Sequence, residues 1–125
     1  RLLGDKLIAS AGPRNCVRYG SLLGALMLVG CVLFSEPWMV IGLFFVLGIG
    51  LANIVPIASA STADQNEMPM SLALAAVTTL GYTGQLAGPA LIGFIAKATS
   101  LSTAFLMLAA FLVAVTFSST IFRSK

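Results

Sequence analysis

Long uncharged stretches separated by short polar segments form the main pattern along this chain. Between Arg18 and Glu36 lie 17 uncharged residues, and runs of 27, 29 and 25 uncharged residues follow, the last ending at Arg123. A helix of about 20 apolar residues is long enough to cross the hydrocarbon core of a bilayer. The runs do not alternate with a period of two, which argues against the strands of a membrane β-barrel. The pattern predicts four transmembrane helices, at residues 16–34, 38–61, 71–96 and 102–122.

The composition excludes most other classes of protein. The chain is 58% hydrophobic and 9% charged, whereas soluble domains are roughly 25% charged. A soluble fold of this size could not bury so much apolar surface. The chain has no histidine and a net charge of only +3, which excludes His-based catalysis or metal ligation and a nucleic-acid-binding stripe. We expect an all-α, polytopic membrane protein in the lipid bilayer, with no cofactor, no metal, no nucleic-acid partner and no disulfide between Cys16 and Cys31.

The basic residues indicate an orientation. Lys97 stands alone between the third and fourth predicted spans, and the other six basic residues fall on the opposite side. Those six are Arg1, Lys6, Arg14, Arg18, Arg123 and Lys125. Because Lys and Arg concentrate in cytoplasmic segments, segment 1–15 and the tail 123–125 are predicted to be cytoplasmic. The turn at 35–37 then faces outside, and the loop at 64–67 faces inside.

Two sets of residues mark separate faces of the third predicted span. Gly81, Gly84 and Gly88 fall within about 60° of one another at 100° per residue, and Pro89 follows them. Such a face favours close helix packing, either static or as a surface that slides during transport. A polar face lies roughly a quarter-turn away. It contains Thr78, Tyr82 and Gln85, which either hydrogen-bond to other helices or line a hydrated substrate path.

The second predicted span has a similar composition. Gly48, Gly50, Asn53 and Pro56 lie within it. Pro56 has no N–H and leaves the carbonyl of the residue four positions earlier without its helical donor. Broken helices at membrane depth commonly surround a binding cavity, so Asn53 is a candidate either for substrate contact or for structural hydrogen bonding. The first and fourth spans are mainly Leu, Val, Ala, Met and Phe, and are expected to face lipid.

The charged segment before the first span suggests a family. Asp5 and Lys6 are followed by Gly12-Pro13-Arg14, a combination that can form a charge network, or latch, at cytoplasmic helix ends. It resembles the loop signature of the major facilitator superfamily, Gly-x-x-x-Asp-Arg-x-Gly-Arg-Arg. Asp5, Lys6, Gly12 and Arg14 match it, although Gly12 lies seven residues after Asp5 instead of three. The form of the segment resembles the fucose-permease-like branch of bacterial carriers.

The resemblance extends over the whole chain. The glycines and Pro56 of the second span resemble the tenth helix of that superfamily, and the Gly81–Gly93 region resembles its eleventh helix. This implies that the chain runs from the end of helix eight through helix twelve of a twelve-helix bundle. It further implies that the remaining helices and a small-molecule substrate are its partners. It also implies a location in a bacterial inner membrane and transport by alternating access. Asn53 would then be the first candidate to line the central substrate cavity, followed by Tyr82, Gln85 and Thr78. Because the chain begins with Arg1, we expect it to be a piece of a longer protein.

Other functions are open at this stage. A small four-helix exporter acting as a homodimer is one alternative, although such exporters need an acid within a span and Glu36 lies in a turn. A non-transporting membrane assembly subunit is another. An intramembrane enzyme is not expected, because the spans contain no acidic pair, no histidine and no Gly-x-Ser-x-Gly turn.

Overall fold

A computed structural model describes residues 10–62 and 68–119, and its regular elements in those ranges are all α-helices. The predicted all-α class is therefore confirmed. The five helices are α1 (Pro13–Leu33), α2 (Pro37–Leu51), α3 (Ile54–Ser61), α4 (Met70–Ala98) and α5 (Leu101–Ser118). Asp5, Lys6, the loop at 64–67, the last residues of the predicted fourth span and the tail 123–125 lie outside the described residues.

Local sequence explains where the first two helices begin and end. Pro13 and Pro37 occupy the first turns of α1 and α2, where a missing N–H costs nothing because helix-initial donors have no intrahelical acceptor. At the end of α1 the backbone N–H of Phe34 donates to the carbonyl of Gly30 at 2.9 Å. Only residues 34–36 separate the two helices, so α2 turns back along α1.

The predicted second span is interrupted. α2 ends at Leu51, Ala52 and Asn53 form a turn, and α3 starts at Ile54. The cause is Pro56, whose ring clashes with the carbonyl four residues earlier and which cannot donate to it. That carbonyl belongs to Ala52, the first residue of the turn. The two helical pieces together still form one apolar stretch, Pro37–Ser61, of 25 residues.

Three apolar stretches in the described part of the chain are long enough to cross a bilayer. They are Pro13–Leu33, Pro37–Ser61 and Leu101–Ser118. α4 is the longest helix, with 29 residues, but it is not one of these three stretches; Gln85, Pro89 and several glycines interrupt its apolar residues. The chain therefore encodes an integral membrane protein, while the fourth crossing stays a prediction.

The described residues form two compact units, one of residues 10–54 with 105–119 and one of residues 55–62 with 68–104. The core of the first unit is built from Ala25 and Leu28 on α1 and Ala109 on α5. Partly buried neighbours from α1, α2 and α5 pack on this core, namely Val29, Leu47, Phe105, Leu108 and Leu112. The rings of Phe44 and Phe105 also meet edge to face, with centroids 5.8 Å apart.

α1 has two different faces. Its buried residues recur at helical spacing: Val17, Ser21, Gly24, Ala25 and Leu28. The larger side chains of Tyr19, Leu22, Leu26 and Leu33 are exposed on the rest of the helix. The expectation that the first span mainly faces lipid is therefore incomplete, because α1 supplies most of the buried residues of the first unit. Composition could not reveal this, since Leu, Val and Ala suit lipid and protein neighbours equally.

Glycines allow the helices of the first unit to approach closely. A Cβ atom built on Gly20 would collide with the carbonyl oxygen of Gly50. A Cβ on Gly24 would meet Leu51 and Leu112 side-chain carbons at 3.1 Å, and one on Gly30 would meet Leu43 at 3.2 Å. Helices in a membrane gain stability from such close packing, because lipid offers little hydrophobic drive for their association.

The second unit buries little. Ile57 on α3, Ala73 on α4 and Ala104 on α5 are its buried apolar residues, and Thr62 is buried with its hydroxyl donating to the Ser59 carbonyl at 2.7 Å. Nearly all of α4 beyond Ala73 is exposed within the described residues. Its apolar side chains therefore need lipid or further protein around them.

Replacing Gly20 by Ala should destabilise the protein by about 1–3 kcal/mol, because the new methyl group is forced against the Gly50 backbone. Gly48→Ala is the matched control: nothing among the described residues lies within 4 Å of its Cβ position, and Ala favours a helix over Gly. Thermal unfolding in detergent measures both. Equal melting temperatures for Gly20→Ala and wild type would contradict the close contact.

Candidate functional site

Asn53 lies in the turn that interrupts the second span. It is half-buried, and no described residue hydrogen-bonds to its side chain. The span Pro37–Ser61 has its midpoint at Ile49, so Asn53 is four residues, or about 6 Å, from the centre of the span. A side chain with both donors and acceptors thus stands near mid-membrane, beside the Ala52 carbonyl that Pro56 leaves without its helical donor.

The polar side chains of α4 differ in whether they have a hydrogen-bond partner. The Thr78 hydroxyl donates to the Leu74 carbonyl at 2.7 Å within its own helix. Tyr82, which is 67% exposed, and Gln85 have no hydrogen-bond partner among the described residues. Both lie within two residues of the helix midpoint at Gly84, or about 3 Å along its axis. Thr78 can therefore face lipid at little cost, whereas Tyr82 and Gln85 need a polar neighbour.

Pro89 lies inside the predicted third span, 71–96, where it is a candidate hinge, and α4 continues through it. Its missing N–H deprives the backbone carbonyl of Gln85 of a helical donor. Gln85 therefore carries an unsatisfied side chain and an unsatisfied backbone oxygen at one position. The same arrangement occurs at Ala52 and Asn53, and a proline three or four residues after a polar residue was the available signal.

The small-residue face of α4 has no neighbour within the described part of the chain. Nothing lies within 4 Å of the Cβ positions of Gly81, Gly84 or Gly88. Gly48 is equally open, and the close contacts occur at Gly20, Gly24, Gly30 and Gly50. Of the glycines singled out from the sequence for packing, Gly50 lies against another helix, and the α4 glycines stay candidates for contact with further protein.

The predicted latch is described only at its second half. Gly12 has φ +80° and ψ 153°, a conformation that residues with a Cβ adopt only under strain. Arg14 follows in the first turn of α1 and is half-buried. Asp5 and Lys6 lie outside the described residues, so their pairing with Arg14 stays a prediction. The glycine at position 12 is explained by the backbone turn that starts α1.

A cavity that sequence reasoning did not foresee lies between the start of α1 and the end of α5. It has a volume of about 260 Å³ and is lined by Arg18, Leu22, Thr116, Phe117 and Ser119. Thr116 and Ser119 are buried, and their hydroxyls donate to the Leu112 carbonyl at 3.0 Å and the Thr116 carbonyl at 2.6 Å. The sequence of the fourth span showed that polar residues lie near its end, but it did not indicate which other residues they would contact.

Three membrane-length apolar stretches, with hydrogen-bonding side chains near the middle of a helix, define a polytopic membrane protein. The chain is 40% identical over 119 residues, 95% of its length, to an uncharacterized MFS-type transporter of Yersinia pestis. It is 36% identical over 98% of its length to membrane protein MosC of Rhizobium meliloti. A third relative, 26% identical over 89% of the chain, is an uncharacterized transporter of Sinorhizobium fredii.

The chain spans only 29–31% of the length of these curated relatives. No family model matches it, and no solved structure matches it. The resemblance to the major facilitator superfamily is confirmed by the relatives, and the chain aligns with about a third of a protein named as a transporter of this type. The names of the relatives indicate transport or a membrane location, which fits a protein that is not an enzyme. The fucose-permease-like branch stays a prediction.

Replacing Pro56 by Ala should close the break in the second span, because an alanine at this position can donate its N–H to the Ala52 carbonyl. We expect the ¹³C chemical shifts of Ala52 and Asn53 to move to helical values in nuclear magnetic resonance spectra of the reconstituted protein. Pro37→Ala is the matched control, since an N–H at the first helical position has no intrahelical acceptor. Turn-like shifts that persist in Pro56→Ala would contradict this cause of the break.

Proposed function

We propose that the protein carrying this chain is a secondary transporter of the major facilitator type that moves a small solute by alternating access. In this proposal the chain supplies the last four helices of a twelve-helix bundle. The observation that carries the proposal is that the polar side chains of Asn53, Tyr82 and Gln85, each near the middle of its own span, have no hydrogen-bond partner among the described residues. The curated relatives named as transporters support the same function.

The cost of leaving these groups in lipid is the physical reason. An amide or hydroxyl transferred from water to an apolar medium without a hydrogen bond costs roughly 2–7 kcal/mol, depending on the reference state. Three such groups would be expensive for a membrane protein to keep without use. They are stable only beside protein or water, and a hydrated path near the bilayer centre provides both. No charged residue lies within the predicted spans apart from Arg18 near the start of the first, so these groups would recognise a solute by hydrogen bonds and not by ion pairs.

The course of the chain supports α4 as a fourth crossing. Arg18 and Leu22, near the start of α1, share a cavity with Thr116, Phe117 and Ser119 at the end of α5, so these two helices are antiparallel. We infer that the stretch Pro37–Ser61, which is long enough to cross the membrane, is followed by a return crossing through α4. Its 29 residues extend about 44 Å, more than the roughly 30 Å core requires.

With four crossings, both ends of the chain face the same side. We place that side in the cytoplasm of a bacterium, bounded by its inner membrane. Support comes from the six basic residues that this side would hold, compared with Lys97 alone on the other, and from the bias of Lys and Arg toward cytoplasmic segments.

The hydrated path predicts which positions react with a water-soluble thiol reagent. In a variant of the complete protein that lacks Cys16 and Cys31, new cysteines at Asn53 and Gln85 should be modified by a charged methanethiosulfonate reagent at least tenfold faster than one at Phe111. Phe111 is the control because it is 67% exposed on apolar α5, where lipid would cover it. Equally slow modification at all three positions would contradict the proposed hydrated path.

Side-chain substitutions test transport itself. Asn53→Ala and Gln85→Ala should lower solute uptake by the complete protein at least tenfold without reducing its amount in the membrane, because each removes donors and acceptors from the path. Thr78→Val is the matched control, since the Thr78 hydroxyl is already bonded within its own helix, and should retain at least half of wild-type uptake. Normal uptake in Asn53→Ala and Gln85→Ala would contradict their place in the solute path, and a wild-type protein with no uptake above background would favour a membrane assembly subunit over a carrier.

Topology is tested separately by single cysteines at Ser35 and Gln65. A membrane-impermeant maleimide added to intact cells should label position 35, and position 65 only after the membrane is opened. Labelling of both positions from the same side would contradict the four-span arrangement.

A further inference from the structure

The cavity between the start of α1 and the end of α5 takes no part in the proposed transport path. Its wall combines one cationic side chain, two buried hydroxyl-bearing residues and two apolar side chains. Its volume is about 260 Å³, which is room for several water molecules or a small polar group.

The depth of the cavity corresponds to the membrane surface. Arg18 is five residues after the first residue of α1, or about 8 Å along the helix axis. Ser119 directly follows the last residue of α5. Long basic side chains near the end of a membrane helix extend their charged group toward the lipid headgroups. The guanidinium of Arg18 can therefore reach the headgroup region from a stem that lies in the apolar layer.

The charges around the cavity favour an anion. Glu36 is the single acidic residue in the described part of the chain, and it lies beyond the opposite end of α1, about 27 Å along the helix axis from Arg18. Arg14 lies one turn before Arg18. Arg presents five N–H donors in a planar arrangement that matches phosphate oxygens.

The other lining residues suit the remainder of a lipid. Leu22 and Phe117 are 41% and 75% exposed, so they present apolar surface along which acyl chains can lie. The protons of the Thr116 and Ser119 hydroxyls are donated to backbone carbonyls, which leaves their oxygens as acceptors. A headgroup that offers a phosphate to Arg18 and hydroxyl donors to these oxygens would use every polar side chain of the wall.

We propose that this cavity binds the phosphodiester headgroup of an anionic phospholipid, of the phosphatidylglycerol type. The Arg18 guanidinium donates to the phosphate oxygens, the glycerol hydroxyls donate to Thr116 and Ser119, and the acyl chains follow Leu22 and Phe117. The lipid would thereby join the start of α1 to the end of α5 at the membrane surface. Basic pockets between membrane helices are known to suit anionic headgroups.

Native mass spectrometry of the complete protein tests this binding. The protein would be released from nanodiscs of phosphatidylcholine that contain one-fifth phosphatidylglycerol, and the lipids that stay bound would be counted. We expect wild type to retain phosphatidylglycerol in preference to phosphatidylcholine, and Arg18→Gln to retain at least tenfold less. Arg14→Gln, which removes the same charge one turn away from the cavity wall, should stay within twofold of wild type. Equal retention in Arg18→Gln and wild type would overturn the site.

Free phosphate distinguishes the source of the anion. Inorganic phosphate at 10 mM should neither displace the retained lipid nor raise the melting temperature of lipid-free protein. Displacement or stabilisation by phosphate would assign the cavity to a soluble anion and overturn the lipid proposal.

Photo-crosslinking supplies a readout that needs no substitution, in case Arg18→Gln does not fold. Phosphatidylglycerol with a diazirine in its acyl chain should label wild-type protein on peptides that contain Leu22 or Phe117. Labelling confined to peptides from α2 or α4 would contradict the proposed position.

Discussion

Hydrocarbon cannot hydrogen-bond, and this single property of the solvent constrains the whole structure. Every backbone N–H and carbonyl within the bilayer needs a partner from the protein, which is why the described chain is built from helices joined by short turns. The same rule sorts its side chains. Hydroxyls on Thr78, Thr83, Thr116 and Ser119 return their protons to carbonyls of their own helices. Amide side chains cannot satisfy all their donors and acceptors in this way. The side chains of Asn53, in the turn, and Gln85, in α4, therefore need hydrogen-bond partners from other parts of the protein, from water or from a solute.

Small residues determine how closely the helices of the first unit can pack. α1 buries Val17, Ser21, Gly24, Ala25 and Leu28 and leaves Tyr19, Leu22, Leu26 and Leu33 exposed. Small residues thus form much of its buried face, together with Val17 and Leu28. Packing at Gly20 and Gly50 brings two backbones together, and a single added methyl group is enough to disturb it. The Ser21 hydroxyl on this face is fully buried and has no hydrogen-bond partner among the described residues. The described structure gives no explanation for its burial.

Much of this arrangement could be predicted from the sequence, and the failures have identifiable causes. The ends predicted from the uncharged runs differ from the observed helix ends by at most four residues, because charge is expelled from hydrocarbon whatever the neighbours are. Pro56 indicated the break in the second span, since its effect on the preceding turn is local. The contact of Gly20 with Gly50 and the cavity beside Arg18 depend on which helices are neighbours, and one sequence does not encode that in any short pattern. For the candidate site, the sequence showed which residues are polar and where they lie along each span. It did not show that the Thr78 hydroxyl donates within its own helix, whereas the Gln85 side chain has no partner among the described residues.

The turn at Ala52 and Asn53 has an electrical consequence. A helix carries roughly half a positive elementary charge at its N-terminus and half a negative one at its C-terminus. Because α2 ends and α3 begins on either side of the turn, partial charges of both signs face each other a few ångströms from the middle of the second span. A stretch of chain with no ionisable group thus presents a permanent dipolar field inside the membrane.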